Sequence, residues 1–259
     1  MKAQQFRRIT AGLLILGAVV VNVPYTLLMM NFDYPDILRE PAGEILTRFA
    51  AGGPGLIWTW LAFAWVGLPI LLGILRLPRA LAGGDASSPG RATGEMAMFF
   101  GAAGAVAQII GLLRWPFVVP SLARLYTSTE ATPVTREAVV AVFQAVHQYG
   151  GVVLGEHIGQ TFTILWMILL SVSLLQQRKV SRWLPLAGFA AAGVYALAQG
   201  ELLATAIPGF PVLAPAGLVG SLMWLGWLVA LGIELMRMTR SSVYGHTGQD
   251  PQLSAGAVQ

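Results

Sequence analysis

Two histidines and a glutamate crowd into one short stretch, His147-Gln148-Tyr149-Gly150-Gly151-Val152-Val153-Leu154-Gly155-Glu156-His157-Ile158-Gly159-Gln160, which runs straight into the strongly apolar residues 161–175. Ionisable groups at the mouth of an apolar helix are costly, so they point to a partner or a function. Three kinds of chemistry are open to them. In a pocket, Glu156 or Glu201 could act as general acid or base, His157 could shuttle protons, and Arg114 could bind an anionic group or an oxyanion. The same pocket could bind a small or lipophilic ligand without reaction, lined by Arg114, His147, Gln160, Gln108 and Asp33. In the plainest arrangement Arg114 pairs with Glu156 or Glu201, locking three helices together while Trp115 anchors the interface, and the protein is then a scaffold or signalling membrane subunit whose ion-pair layer is structural.

A metal or haem finds little support. On a straight helix His147 and His157 stand roughly 15 Å apart by the 1.5 Å rise per residue, so they could share an ion only across a break at Gly150-Gly151. No HExxH or comparable spacing is present, and the two histidines give no opposed axial pair for a haem. No P-loop, GxGxxG or GxSxG motif stands in a supporting context, so no cofactor is identified. The chain has no cysteine, which excludes disulfides, thiolate metal sites and cysteine nucleophiles.

The elements that must position these groups follow from bulk composition. Of 259 residues, 56% are hydrophobic and only 11% charged, where soluble domains average roughly 25% charged. The lipid bilayer is therefore the expected surroundings. A spanning backbone must satisfy its own hydrogen bonds, and long uninterrupted apolar runs do so as helices rather than as alternating barrel strands. The reading is an all-α polytopic membrane protein. The formal charge is +4, but without a Lys/Arg-rich run it does not indicate nucleic acid.

Six spans are predicted, at residues 9–30, 56–75, 95–115, about 155–175, 183–205 and 216–236. The first exceeds the roughly 7–15 apolar residues of a signal-peptide core and reads as an uncleaved span. Residues 77–93 read as a flexible polar loop, and Pro120, Arg124 and Tyr126 as part of another. Leu38, Ala42, Ile45, Leu46 and Phe49 fall on one face of an amphipathic helix starting at Glu40-Pro41, expected at the membrane interface. Gly52-Gly53-Pro54-Gly55 ends it, and Trp58 and Trp60 beyond suit an aromatic belt. Residues 134–149 read as a second surface helix, with a bend or break at Gly150-Gly151. Gly101, Gly104, Gln108, Gly111 and Trp115 share a face of the third span, where small residues would admit a neighbouring helix and Gln108 could bond across. The transmembrane domain is placed at residues 1–240, with a disordered tail at 241–259.

With six spans both termini lie on one side. That side carries 11 basic and 4 acidic residues, the other 5 basic and 8 acidic. Both termini are therefore predicted to be cytoplasmic, with the two surface helices and the layer of Arg114, Glu156, His157 and Glu201 at the opposite, extracytoplasmic side. The two hairpins, each joined through a surface helix ending in a glycine pair, also suggest a parallel internal repeat.

Three segments carry a family resemblance. Asn31-Phe32-Asp33-Tyr34-Pro35-Asp36-Ile37-Leu38-Arg39, Leu112-Leu113-Arg114-Trp115-Pro116-Phe117, and His147-Gln148-Tyr149-Gly150-Gly151 with Gly155-Glu156-His157-Ile158-Gly159-Gln160 resemble an uncharacterised bacterial family of multi-helix membrane proteins, a domain of unknown function. The resemblance reaches to about the fourth span. It implies a bacterial inner-membrane protein and transfers no activity.

Overall fold

The computed structural model describes residues 3–82 and 89–244, and the regular structure within them is helical throughout. Six helical stretches are long and apolar enough to cross a membrane: Ala3–Phe32, Ala42–Ala82, Arg91–Thr127, Pro133–Gln177, Trp183–Ala204 and Ala216–Met238. The chain is built as an integral membrane protein. Four stretches subdivide: α1 (Ala3–Val20) and α2 (Asn22–Phe32); α3 (Ala42–Trp65) and α4 (Gly67–Ala82); α5 (Arg91–Phe117) and α6 (Val119–Thr127); α7 (Pro133–Val146), a π-helical segment (His147–Ile158) and α8 (Gly159–Gln177). The chain ends in α9 (Trp183–Leu197), α10 (Gln199–Ala204) and α11 (Ala216–Tyr244).

Three of the bends in these stretches have a local cause. Pro54 disfavours the helical conformation at the residue before it, and Gly53 takes φ 59, ψ −157, which kinks α3. Only glycine adopts such a pair at no steric cost. Between α1 and α2, Asn22 turns its amide back onto the carbonyls of Ala18 and Val19 at 3.0 and 3.2 Å. Pro116 lies in the last turn of α5, and Val118 at φ −107, ψ −50 makes the joint to α6.

The spans pack as a ring in chain order: α1 on α4, α4 on α5, α5 on α8, α8 on α9, α9 on α11, and α11 back on α1. Inside lies a mainly aliphatic core that includes Leu14, Ile74, Met167, Leu170, Leu228 and Leu231, with Trp166 and Trp227. A second core caps the ring at the end away from the first turn of α1. It joins α2, the 3-10 turn Asp36–Arg39, α3, the end of α5, α6 and α7 through Phe32, Ile37, Phe49, Trp60, Trp115, Val119 and Phe143.

Several expectations are corrected. Residues 77–82 are the last turns of α4, with Leu77, Ala80 and Leu81 buried in the core, and only residues 83–88 of that predicted loop lie outside the described residues. The segment with Pro120 is helix α6, because proline is tolerated in a first turn. Ile45, Leu46 and Phe49 are buried against the aromatic core, and their segment continues into the second span across the Gly53 kink. Trp58 is exposed, but Trp60 and Trp115 are fully enclosed, so neither faces an interface. The chain does not break at Gly150-Gly151. It winds more widely there, as a π-helix inside a continuous 45-residue stretch. The predicted tail from residue 245 onward, with His246, lies outside the described residues.

Candidate functional site

The glycine face of α5 is what brings the polar residues together. A Cβ on Gly104 would stand 3.0 Å from the Gly159 carbonyl, and one on Gly111 would run into Gly155 Cα. The backbones of α5 and the fourth span therefore approach as closely as helices can, the role expected of small residues. Gln108 bonds across that contact, its Nε2 donating to Thr163 Oγ1 at 3.0 Å. Thr163 passes the bond on to the Gly159 carbonyl at 2.9 Å.

One turn further along α5, Arg114 lies under the π segment. Its guanidinium occupies the space a side chain at Gly151 would need, since a Cβ there would stand 2.5 Å from Nη2. The residue is buried, Nη1 donates to the Gly111 carbonyl at 2.5 Å, and Cζ lies 5.2 Å from the Trp115 ring centroid. Glu156 is half-buried and in Coulombic range of Arg114, Glu201 and Tyr195. Yet among the described residues Arg114 forms no ion pair. The expected lock of Arg114 onto Glu156 or Glu201 is absent. Glu201 instead accepts from Arg39 Nη2 at 2.6 Å, and Arg39 also holds Asp36 at 2.6 Å. Arg39 stands above its ordinary pKa chiefly through that bond to Glu201.

Three buried polar atoms without partners gather around Trp115: Arg114 Nε, Trp60 Nε1 and His147 Nδ1. Trp60 stacks on Trp115 with centroids 4.5 Å apart and planes 10° off parallel. His147 meets Trp115 edge-on at 6.1 Å and stacks on Phe143 at 5.5 Å. Buried polar atoms in native proteins are nearly always paired, and each exception calls for a physical reason. Tyr34 packs edge-on against Trp60 at 5.2 Å. Burial pushes its phenol above the ordinary range, with the Glu156 charge acting the same way.

The remaining candidates lie elsewhere. His157 Nδ1 donates to Gln199 Oε1 at 2.7 Å, and Gln199 Nε2 donates to Gln160 Oε1 at 2.7 Å, tying the fourth span to the fifth. Asp33 is exposed, caps α2 in a left-handed conformation and lies 3.4 Å from Arg48. Glu156, His157 and Glu201 thus reach toward different partners. Gln199, Thr163, Trp60 and Tyr34 belong to the polar arrangement without having been expected there. A depression of about 260 Å³ between α6 and α7, lined by Tyr126, Arg136, Glu137, Val140, Ala141 and Gln144, contains none of the candidates.

Comparison with curated proteins and with solved structures gives no match. The family model described as a domain of unknown function, DUF4386, matches residues 9–232, which include every helix that lines the site. The chain therefore belongs to the DUF4386 family.

Proposed function

We propose that this protein binds a small or lipophilic ligand at the aromatic end of its bundle, around Trp115, in the inner membrane of a bacterium. In this reading both termini are cytoplasmic and the site opens on the extracytoplasmic side, as the charge distribution suggests. Residues 42–52 and α7 then form amphipathic covers over that end, and residues 1–240 are one transmembrane domain. The observation that carries the reading is the convergence of Arg114 Nε, Trp60 Nε1 and His147 Nδ1, all buried and unpaired, on one aromatic group. Two of these nitrogens can only donate, so the ligand offers an acceptor, such as a carboxylate, phosphate or carbonyl oxygen. The aromatic faces beside them suit an apolar body.

Acid-base catalysis by Glu156, His157 and Glu201 on a lipophilic substrate is the second reading. Glu156 beside the unpaired Arg114 favours it, whereas the bonds holding His157 to Gln199 and Glu201 to Arg39 weigh against a three-residue constellation.

Native mass spectrometry of the full chain, extracted from its own membrane in mild detergent, tests the binding reading. A bound species is expected on the wild type and lost from Arg114→Gln, with the thermal midpoint unchanged. A wild type that carries nothing, with a lower midpoint for Arg114→Gln, would leave Arg114 a structural role only.

A further inference from the structure

At the other end of the bundle the first turns of α1 meet the last turns of α4, and this junction gathers positive charge around one ring. Arg7 Nε donates to the Ala80 carbonyl at 2.9 Å, in the final turn of α4 where carbonyls lack intrahelical donors. Arg76 places its Cζ 4.0 Å from the Phe6 ring centroid, and Arg79 places its own 5.1 Å from the same centroid. Arg76 Nε reaches Thr10 Oγ1 at 3.3 Å, but its Nη2 is buried with no partner. Among the described residues none of these three arginines forms an ion pair with a carboxylate.

Arginines at a span end are expected from orientation bias alone. That bias needs only charge. It explains neither two guanidinium groups brought onto one phenyl ring, where they repel each other, nor a donor buried without an acceptor. Both are satisfied by an anion with several acceptor oxygens, because guanidinium forks match phosphate geometry. Basic pockets between spans at a membrane surface are where anionic lipid headgroups bind.

We propose that Phe6, Arg7, Arg76 and Arg79 form a binding site for a phosphate group, and that an anionic phospholipid held between α1 and α4 supplies it. The ring orients the two guanidinium groups, Arg7 fixes the end of α4, and the lipid chains lie along the apolar faces of α1 and α4.

Thermal unfolding of the full chain in detergent micelles tests this. Three additions are compared: dioleoylphosphatidylglycerol, dioleoylphosphatidylcholine and inorganic phosphate. The expected result is a midpoint several degrees higher with phosphatidylglycerol than with phosphatidylcholine, no shift with inorganic phosphate, and loss of the phosphatidylglycerol shift in Arg76→Gln/Arg79→Gln. If the double variant does not fold, Arg79→Gln alone, at an exposed position, supplies the comparison and is expected to lose at least half the shift. Equal shifts with the two lipids, or a full phosphatidylglycerol shift in the folded variant, would overturn the site. An inorganic phosphate shift as large as that of phosphatidylglycerol would retain the phosphate chemistry and overturn the lipid as its source.

Discussion

The body of the bundle and its aromatic end are packed on different principles. In the body, aliphatic side chains from all six spans fill a ring, Trp166 and Trp227 meet edge-on at 5.5 Å, and Trp227 Nε1 donates to the Leu184 carbonyl at 2.9 Å. At the aromatic end, Trp60, Trp115 and Phe49 form a parallel stack, edged by Phe32, Phe143 and His147. Around that stack Trp60 Nε1, His147 Nδ1 and the buried charge of Arg114 stand partly unsatisfied. The body also holds unpaired atoms, Ser171 Oγ, Trp224 Nε1 and, at the arginine junction of α1 and α4, Arg76 Nη2 among them, but Arg76 itself is only partly buried, whereas Arg114 is buried. Packing explains the body apart from the arginine junction of α1 and α4. It leaves the aromatic end carrying a cost, because a buried charge without a close partner is expensive, and removing a cost of that kind is often neutral or stabilising.

Trp115→Ala should break the comparison most strongly. It removes the ring that five aromatic neighbours touch, and a loss of about 3–5 kcal/mol is expected from truncating a buried aromatic, measured by reversible unfolding in mixed micelles. Arg114→Met sharpens the comparison in the opposite direction. Stability that is kept or raised, by up to about 1–4 kcal/mol, fits a charge held for a ligand, whereas a loss of about 3–5 kcal/mol would fit a structural ion pair. Gly111→Ala forces apart the backbones where the two regions join, because the neighbour it meets is Gly155 backbone rather than a flexible side chain. An overpacking cost of about 1–3 kcal/mol follows. Gln199→Leu cuts the link from His157 to Gln160 and should cost about 0.5–1.5 kcal/mol. Arg39→Ala removes exposed pairs to Asp36 and Glu201 and should cost less than about 1 kcal/mol in the same assay.

How much of this was legible in the sequence depends on the range of the interaction concerned. The six spans were legible because roughly 20 successive apolar residues admit few alternatives, and the glycine face of α5 because helical period places Gly104, Gln108 and Gly111 together. Local chemistry also marked Gly52-Gly53-Pro54-Gly55 as a disruption, though as the end of a helix rather than the kink at Gly53 inside a continuous one. Three features were not legible. Nothing in the letters marks a change from i→i+4 to i→i+5 bonding, so the Gly150-Gly151 region was expected to bend or break rather than to widen into a π-helix. Trp60 and Trp115 have the composition of an interfacial belt, and only the approach of α3 to α5 places them face to face inside. The partners of Glu201 and His157 come from elements 162 and 42 residues away in sequence, a separation at which equal height in the membrane is a poor guide to contact. For Arg114 the sequence left a ligand, an oxyanion and a carboxylate of the chain open as partners, and the structure shows no ion pair to Glu156 or Glu201.

In the proposed function Arg114 is kept out of ion-pair contact with Glu156, although within its Coulombic range, so that a ligand can be held beside Trp115. A cryo-electron microscopy map of the full chain in lipid nanodiscs tests it most directly. The account predicts density that is not protein within hydrogen-bond distance of Arg114 Nε, adjoining Trp60 Nε1 or His147 Nδ1. A direct ion pair between Arg114 and Glu156, with nothing else between the helices, would contradict it.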